Sequence, residues 1–235
     1  MARNERILLS GNDAAVLGAI EGGAELMFGY PITPATEILH SWVARAENDR
    51  TIGYLQAEDE TSAGFLVCGA LAAGKKAFTA SAGPGHVLMQ DPLSMAENLR
   101  LPFAAIMMQR GGPSTGTVNF SQQEVNLAAF GGNGDGLRVV YSASSVTDMY
   151  KYSAKIFDTA WKYRFPTILL GDGYLGKMKE AVSINKLIRP IKIEPILKEE
   201  SEPTFLRNCY RSEEEFNQYL NKNIADLKKM VPKVV

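Results

Sequence analysis

Cysteine and histidine are scarce, with two of each in 235 residues, and both shortages exclude chemistry. Cys68 and Cys209 form no Cys-x-x-Cys pair, so they cannot by themselves hold an iron–sulfur cluster or a structural zinc. Cys68, in an apolar helical stretch, reads as a small core residue. There is no Gly-x-Ser-x-Gly elbow, and His40 and His86 give nucleophilic hydrolysis little support. His40 sits within a predicted helix, where packing or solvent is the default, and His86 follows a glycine loop as a helix-start residue. An excess of either charge is lacking too: the net charge is −1, with no basic run, which argues against nucleic acid or an anionic membrane as partner. No apolar run approaches the roughly 18 residues of a spanning helix, and Met1-Ala2-Arg3-Asn4-Glu5-Arg6 lacks the apolar region of a signal peptide. These two absences predict a cytoplasmic protein. No solenoid-length repeat and no low-complexity tract is present.

What is there suits a soluble globular chain: 46% of residues are hydrophobic and 22% charged, enough to bury a full core. After a short arm, Gly11-Asn12-Asp13 offers capping side chains to a helix built on Ala14, Ala15, Val16, Leu17, Ala19 and Ile20. Strands are predicted at 26–29, 52–55, 75–80, 103–108, 138–141 and 167–170, alternating with helical patterns that include 61–73 and 121–130. A long helix, capped by Ser144 or Ser145, runs to Tyr163. That alternation predicts an α/β fold, a doubly wound and mainly parallel sheet in three αβα layers. From about Asn185 the pattern changes. Pro190, Pro195 and Pro203 punctuate a charged, extended linker, and Ser212-Glu213-Glu214-Glu215 is a capping box opening a terminal helix with Phe216, Leu220, Ile224 and Leu227 on one face. That stripe must pack on this domain or on another chain.

Three strand ends carry candidate chemistry. Gly29-Tyr30-Pro31-Ile32-Thr33-Pro34 is stiffened by two prolines, which hold Tyr30 and Thr33 out of the helical region. Pro34 is then placed to open a helix. A loop of this kind, between a strand end and a helix start, is where parallel α/β sheets bind ligands, although a rigid turn without chemistry fits the local pattern as well. Glu58-Asp59-Glu60 would complement a helix dipole. Glu60, however, begins a helix of small residues, so its burial and a raised carboxyl pKa are expected. Arg110, before a glycine–proline loop, could clamp a carboxylate bidentately or lie on the surface. Ser81-Ala82-Gly83-Pro84-Gly85 lacks a phosphate-binding lysine and reads as a tight turn.

Taken together, these segments resemble the α-subunit pyrimidine-binding domain of the thiamine-diphosphate-dependent 2-oxoacid:ferredoxin oxidoreductases. The likeness rests on Gly29 to Pro34, Glu58-Asp59-Glu60 with Gly69-Ala70 and Ala73-Gly74, Ser81 to Gly85, and Gln109-Arg110-Gly111-Gly112-Pro113-Ser114-Thr115-Gly116. These occur in the family's order over residues 8–182, ending in Gly171-Asp172-Gly173. The resemblance implies a thiamine-diphosphate-binding fold of the pyrimidine type over residues 1–184, with a linker and amphipathic helix over 185–235. It also assigns roles. Glu60 would hydrogen-bond the aminopyrimidine ring and favour its imino tautomer. Tyr30, Pro31 and Ile32 would line the cofactor, and Thr33 and Arg110 would hold the 2-oxoacid carboxylate. Decarboxylation would pass the acyl group to coenzyme A and electrons through iron–sulfur clusters to ferredoxin.

The family pattern for diphosphate and Mg²⁺ is Gly-Asp-Gly followed by Asn-Asn. This chain has Gly-Asp-Gly at 134–136 and 171–173 but no Asn-Asn. The resemblance therefore implies a β subunit for the diphosphate and Mg²⁺, with γ and δ subunits carrying the clusters, and a chain that is inactive alone. Family α subunits usually continue into a second domain, which is not found here and suggests a split gene or a shortened chain. The alternative is a non-catalytic remnant acting as an assembly or regulatory partner, against which the joint presence of Thr33, Glu60 and Arg110 speaks. Asn133, where relatives often have histidine, and Thr117-Val118-Asn119 depart from the family pattern at positions expected near the substrate pocket. The Arg-Gly-Gly-Pro-Ser-Thr-Gly segment looks more like 2-oxoglutarate-type subunits than branched-chain ones.

Overall fold

The computed structural model describes residues 6–184, 193, 195–197 and 206–234. Among these are strands β1 (Arg6–Ser10), β2 (Leu26–Gly29), β3 (Gly53–Gln56), β4 (Ala77–Ser81), β5 (Ala104–Gln109), β6 (Val139–Ser142), β7 (Thr167–Asp172) and β8 (Lys179–Ser183). Six of them form one sheet in the order β3-β2-β4-β5-β7-β6, every neighbouring pair parallel. The strands at its centre are apolar because both faces are covered, as a parallel sheet requires. Side chains alternate across the sheet with the period of two: Ala104, Ile106 and Met108 of β5 join one core, and Ala105 and Met107 the other.

Helices α1 (Gly11–Glu21) and α2 (Thr36–Ala46) and most of α7 (Val146–Tyr163) cover the first face. Helices α3 (Glu60–Ala72), α4 (Pro84–Leu88), α5 (Gln90–Leu99) and α6 (Val125–Phe130) belong to the second. The first core carries an aromatic chain, Trp42 edge-on to Phe78 at 5.0 Å and Phe78 edge-on to Phe157 at 5.7 Å. The Trp42 indole N–H donates to the Gly53 carbonyl at 2.9 Å, so its polar edge is satisfied while the ring is fully buried. Cys68 lies in the second core as expected, its thiol pushed up to about 12 by burial.

The doubly wound sheet of the sequence reading is present, and four local expectations are corrected. The arm before α1 is β1, which pairs antiparallel with β8. The cap of α1 is Ser10, whose hydroxyl accepts from the Asp13 N–H. Pro34 does not open α2. Residues 32–35 close a turn through the Ala35 N–H to the Ile32 carbonyl at 2.8 Å, and the helix begins two residues after Pro34. The helix expected over 121–130 shortens to α6, because the side chains before it are bonded to neighbouring backbone, Gln123 Oε1 accepting from the Gly112 N–H at 2.9 Å.

Most of the predicted linker lies outside the described residues, Pro190 and Pro203 included. Within them, the Leu197 N–H donates to the Ala72 carbonyl at 3.1 Å. Helix α9 (Glu213–Val234) follows, its Glu215 N–H donating to the Ser212 hydroxyl as the capping box predicts. Its apolar stripe faces this domain, where Phe216, Leu220, Ile224 and Leu227 line a cleft with Met95, Leu137 and Phe165. Arg100 donates to the Asn223 side chain, and the Tyr163 hydroxyl to the Lys233 carbonyl.

Where α1 crosses α7, an ideal Cβ on Gly18 would overlap the Tyr150 carbonyl and come within 2.8 Å of Ser153 Cβ. Gly18→Ala is expected to destabilise the fold by about 1–3 kcal/mol, the usual range for overpacking against backbone. Gly69, exposed within α3, has no atom within 4 Å of such a Cβ. There the same substitution should stabilise by about 0.5–1 kcal/mol through helix propensity. Urea midpoints of the two variants check both signs, and equal shifts would remove the packing argument.

Candidate functional site

The chain leaves β2 for the outer strand β3, then returns to the other side of β2 to form β4. Helix α2 goes to one face after β2, while α4 and α5 go to the opposite face after β4, a topological switch point of the kind at which open α/β sheets form a ligand crevice at the carboxyl ends of their strands. The three strand ends singled out from sequence meet around it.

The 30–35 loop is held from below. Asn12, buried at the start of α1, donates from Nδ2 to the Pro34 carbonyl at 2.9 Å and to Glu37 Oε2 at 3.2 Å. The Pro34 ring packs over Gly173. Tyr30 is exposed at 38%, and Pro31, Ile32 and Thr33 are half-buried.

Arg110 directly follows β5 and is only 6% exposed. Its Nη1 donates to the Thr33 carbonyl at 2.9 Å and Nη2 to the Thr115 carbonyl at 3.0 Å, while the buried Nε–H has no hydrogen-bond partner. The expected pair of Thr33 and Arg110 is thus brought together through the Thr33 backbone. No carboxylate of the described residues makes an ion pair with this guanidinium.

The acidic triplet divides. Glu58 is exposed, Asp59 caps α3 by accepting from the Ser62 N–H at 2.7 Å, and Glu60 is buried. Burial raises the Glu60 carboxyl above its ordinary value of 4.5. The Asp59 charge adds to the rise, while the Arg110 charge and a backbone hydrogen bond oppose it. Its carboxyl and the unpartnered Ser81 hydroxyl both rest on Gly85, where an ideal Cβ would overlap both groups. Arg110 packs in the same way on Gly83, whose φ is +51°. The 83–85 turn therefore backs both the carboxyl and the guanidinium.

Sequence reasoning missed Glu124, which the expected 121–130 helix hid. Its Oε1 accepts from the Gly83 and Arg110 backbone N–H groups, both at 2.9 Å, and its Oε2 lies 2.8 Å from His86 Nδ1. Burial alone would raise this carboxyl. The hydrogen bonds from His86, Arg110 and Gly83, with the His86 interaction, reverse that and hold it below its ordinary value. His86 is a fully buried partner of Glu124, not simply a residue that starts a helix. Of the two departures expected beside the pocket, 117–119 lies there: the Gly111 N–H donates to the Asn119 carbonyl, and the Thr117 N–H to the Gly111 carbonyl. Asn133 does not. It lines the cleft beneath α9, near the residues that precede β6 and β7, because 131–136 runs along α5.

Residues 17–223 match the family described as "Pyruvate flavodoxin/ferredoxin oxidoreductase, thiamine diP-bdg". The 2-oxoglutarate synthase subunit KorA of Methanothermobacter marburgensis is 36% identical over 191 residues, 81% of this chain and 49% of that protein. The ketoisovalerate oxidoreductase subunit VorB of the same organism is 39% identical over 176 residues, 74% of this chain and 49% of that one. A solved 2-oxoglutarate:ferredoxin oxidoreductase from Magnetococcus marinus, with 2-oxoglutarate, coenzyme A and succinyl-CoA bound, superposes with a TM-score of 0.84 at 30% identity. That match covers 97% of this chain and 45% of the solved one. The chain spans about half the length of the relatives it matches. Among the described residues no helix is long and apolar enough to cross a membrane.

The Glu60 environment gives a pH signature with a fixed sign. A carboxyl whose pKa is raised on folding binds its proton more tightly in the folded state, so its contribution to stability falls as pH rises from the ordinary value of 4.5 through the raised one. Glu60→Gln removes that loss. Its urea midpoint relative to the parent should grow over this interval and then level off, with no such gain below about pH 4. A difference that stays constant with pH would show that Glu60 is not held as described.

Proposed function

Because the chain belongs to the pyruvate flavodoxin/ferredoxin oxidoreductase family of thiamine-diphosphate-binding domains, we propose that it supplies the pyrimidine half of a thiamine diphosphate site and the clamp for a 2-oxoacid carboxylate. The observation that carries this reading is a nearly buried arginine that makes no ion pair among the described residues, set beside a buried carboxyl whose pKa is raised. Such an arginine calls for an anion, and such a carboxyl holds its proton more tightly than a solvent-exposed one.

The residues present suit the cofactor's pyrimidine edge. Glu60 offers a carboxyl that favours its protonated form, and Ser81 offers a second buried polar group on the same glycine. When bound, thiamine diphosphate supplies the carbon nucleophile that makes decarboxylation of a 2-oxoacid feasible. In this reading Glu60 holds and returns a proton at a ring nitrogen. Tyr30, Pro31 and Ile32 wall the ring, and the rigid 30–35 loop keeps the Thr33 hydroxyl in reach of the substrate. The Arg110 guanidinium, anchored on two carbonyls, directs its remaining N–H groups at the carboxylate. Relatives named for 2-oxoglutarate and for ketoisovalerate are similar at 36% and 39%, so the proposal names the 2-oxoacid class.

The diphosphate and Mg²⁺ are assigned to a β subunit. Of the two Gly-Asp-Gly segments here, Asp172 already caps α8 (Gly173–Lys177) and Asp135 lies in the cleft beneath α9. On the helices that start at the site, Phe65 and Leu66 of α3, Val87 and Leu88 of α4, and Val125 and Phe130 of α6 are exposed, and Phe130 is 85% so. An apolar face of this kind suits the surface on which a partner completes the site. Iron–sulfur clusters are assigned to γ and δ subunits, with ferredoxin as electron acceptor and coenzyme A as acyl acceptor. Residues 1–184 are the pyrimidine-binding domain in this scheme, and 185–235 form its connecting segment.

The test uses the complex recovered from its source cells through a tag on this chain, assayed for 2-oxoacid-dependent ferredoxin reduction. Glu60→Gln should lower kcat by about 10²–10⁴-fold, the usual span for a positioned proton donor. Arg110→Ala should raise KM for the 2-oxoacid by at least about 10-fold, the equivalent of one lost charge-assisted contact. Parent-like turnover in both variants would overturn the reading and favour a non-catalytic remnant.

A further inference from the structure

Glu124 touches both halves of the site without reaching into it. One of its oxygens accepts from the backbone N–H of Arg110 and from that of Gly83, and the other faces His86 Nδ1. Gly83 and Gly85 lie in the turn that backs the Arg110 guanidinium and the Glu60 carboxyl. A single carboxylate therefore ties the end of β5, which carries the clamp, to the turn that supports the proton-holding group.

Its own placement is fixed from the other side. The Glu124 N–H donates to Gln109 Oε1 at 3.1 Å, and Gln109 Nε2 donates to the Gly171 carbonyl at 3.2 Å, which anchors the carboxylate to the ends of β5 and β7. An ionised carboxylate only accepts, so His86 must carry its hydrogen on Nδ1 to make the 2.8 Å contact. Three donors on two oxygens, two on Oε1 and one on Oε2, hold the group in a nearly dry setting: Glu124 is 6% exposed and His86 fully buried.

We infer that Glu124, with His86 as its donor, is a positioning residue that sets the distance between Arg110 and Glu60 and so aligns the substrate carboxylate with the proton-holding carboxyl. The inference rests on the function proposed above. It predicts a defect in the placement of substrate rather than in assembly or cofactor content. Glu124→Gln keeps the size and an acceptor oxygen but turns an amide N–H₂ towards His86. His86→Leu removes the donor. His86→Asn keeps an amide donor at a similar reach.

The experiment compares these variants with Arg110→Ala and Glu60→Gln in the recovered complex, with thiamine diphosphate content and the thermal midpoint measured on each. Glu124→Gln and His86→Leu should raise KM for the 2-oxoacid about 10-fold, with kcat within about 3-fold of the parent and cofactor content unchanged, the pattern of lost alignment. His86→Asn should stay within about 3-fold of the parent KM, well under the tenfold step that 1.4 kcal/mol represents. Should Glu124→Gln fail to assemble, His86→Leu decides on the same readout. The inference is overturned if KM is parent-like in both, if losses appear only in thermal midpoint and yield, or if His86→Asn is as impaired as His86→Leu. Parent-like turnover in Arg110→Ala and Glu60→Gln would instead remove the underlying functional reading, whatever the Glu124 variants do.

Discussion

Holding a guanidinium out of water is the constraint on which the rest of this site depends. Arg110 is 6% exposed and no carboxylate pairs with it among the described residues, and removing such an ion from water costs several kcal/mol even after relaxation. Two carbonyls recover part of that cost, and both come from loops that must be rigid to serve. The Thr33 carbonyl is in place because prolines and the Asn12 amide fix its loop. The Thr115 carbonyl is in place because the 111–120 segment folds back on itself through Gly111, Thr117 and Asn119. The charge therefore explains why the loops after β2 and β5 are ordered against one another.

Glu60 shows the opposite solution to the same problem. Where Arg110 cannot give up its charge, a carboxyl can, and burial moves it towards the neutral form. The nearby Arg110 charge limits that shift, so the two groups constrain each other. Their balance depends on the 83–85 turn. A Cβ at Gly85 would overlap the Glu60 carboxyl, and one at Gly83 would press on the Arg110 side chain. The segment first read as a tight turn is one, and its glycines are needed as much for what rests on them as for the turn.

What sequence reasoning could see follows from how local each signal is. Leu26–Gly29 and the six-strand rhythm were legible because apolar runs between glycine and polar punctuation need only neighbouring residues. Thr33, Glu60 and Arg110 were legible because each follows or ends such a run. Glu124 was not, since its partners lie 14, 38 and 41 residues away and its own segment resembles the first turn of a helix. Asn12 was mistaken for a cap for the same reason, its partner Pro34 being 22 residues distant. The β1–β8 pair escaped because Ile7 and Leu8 are exposed, which removes the alternation that marks a half-buried strand.

Electrostatics also bears on the proposed placement of the site at an interface. The interaction of a carboxylate ligand with Arg110 strengthens as the surrounding medium becomes less polar, and a crevice open to water on one side leaves part of that gain unrealised. Helices α3, α4 and α6 start at Glu60, in the 83–85 turn and just after Glu124, and carry exposed apolar side chains, so under the proposed function a surface laid on these helix starts would exclude water from Glu60 and Arg110 together. One contact would then deepen the burial that raises the Glu60 pKa and strengthen the attraction of Arg110 for an anion. The domain itself keeps these groups in register, through the 83–85 turn and Glu124, and under the proposed function a second surface would add the burial that strengthens both. Covering the crevice and tuning its two charged groups are the same physical event.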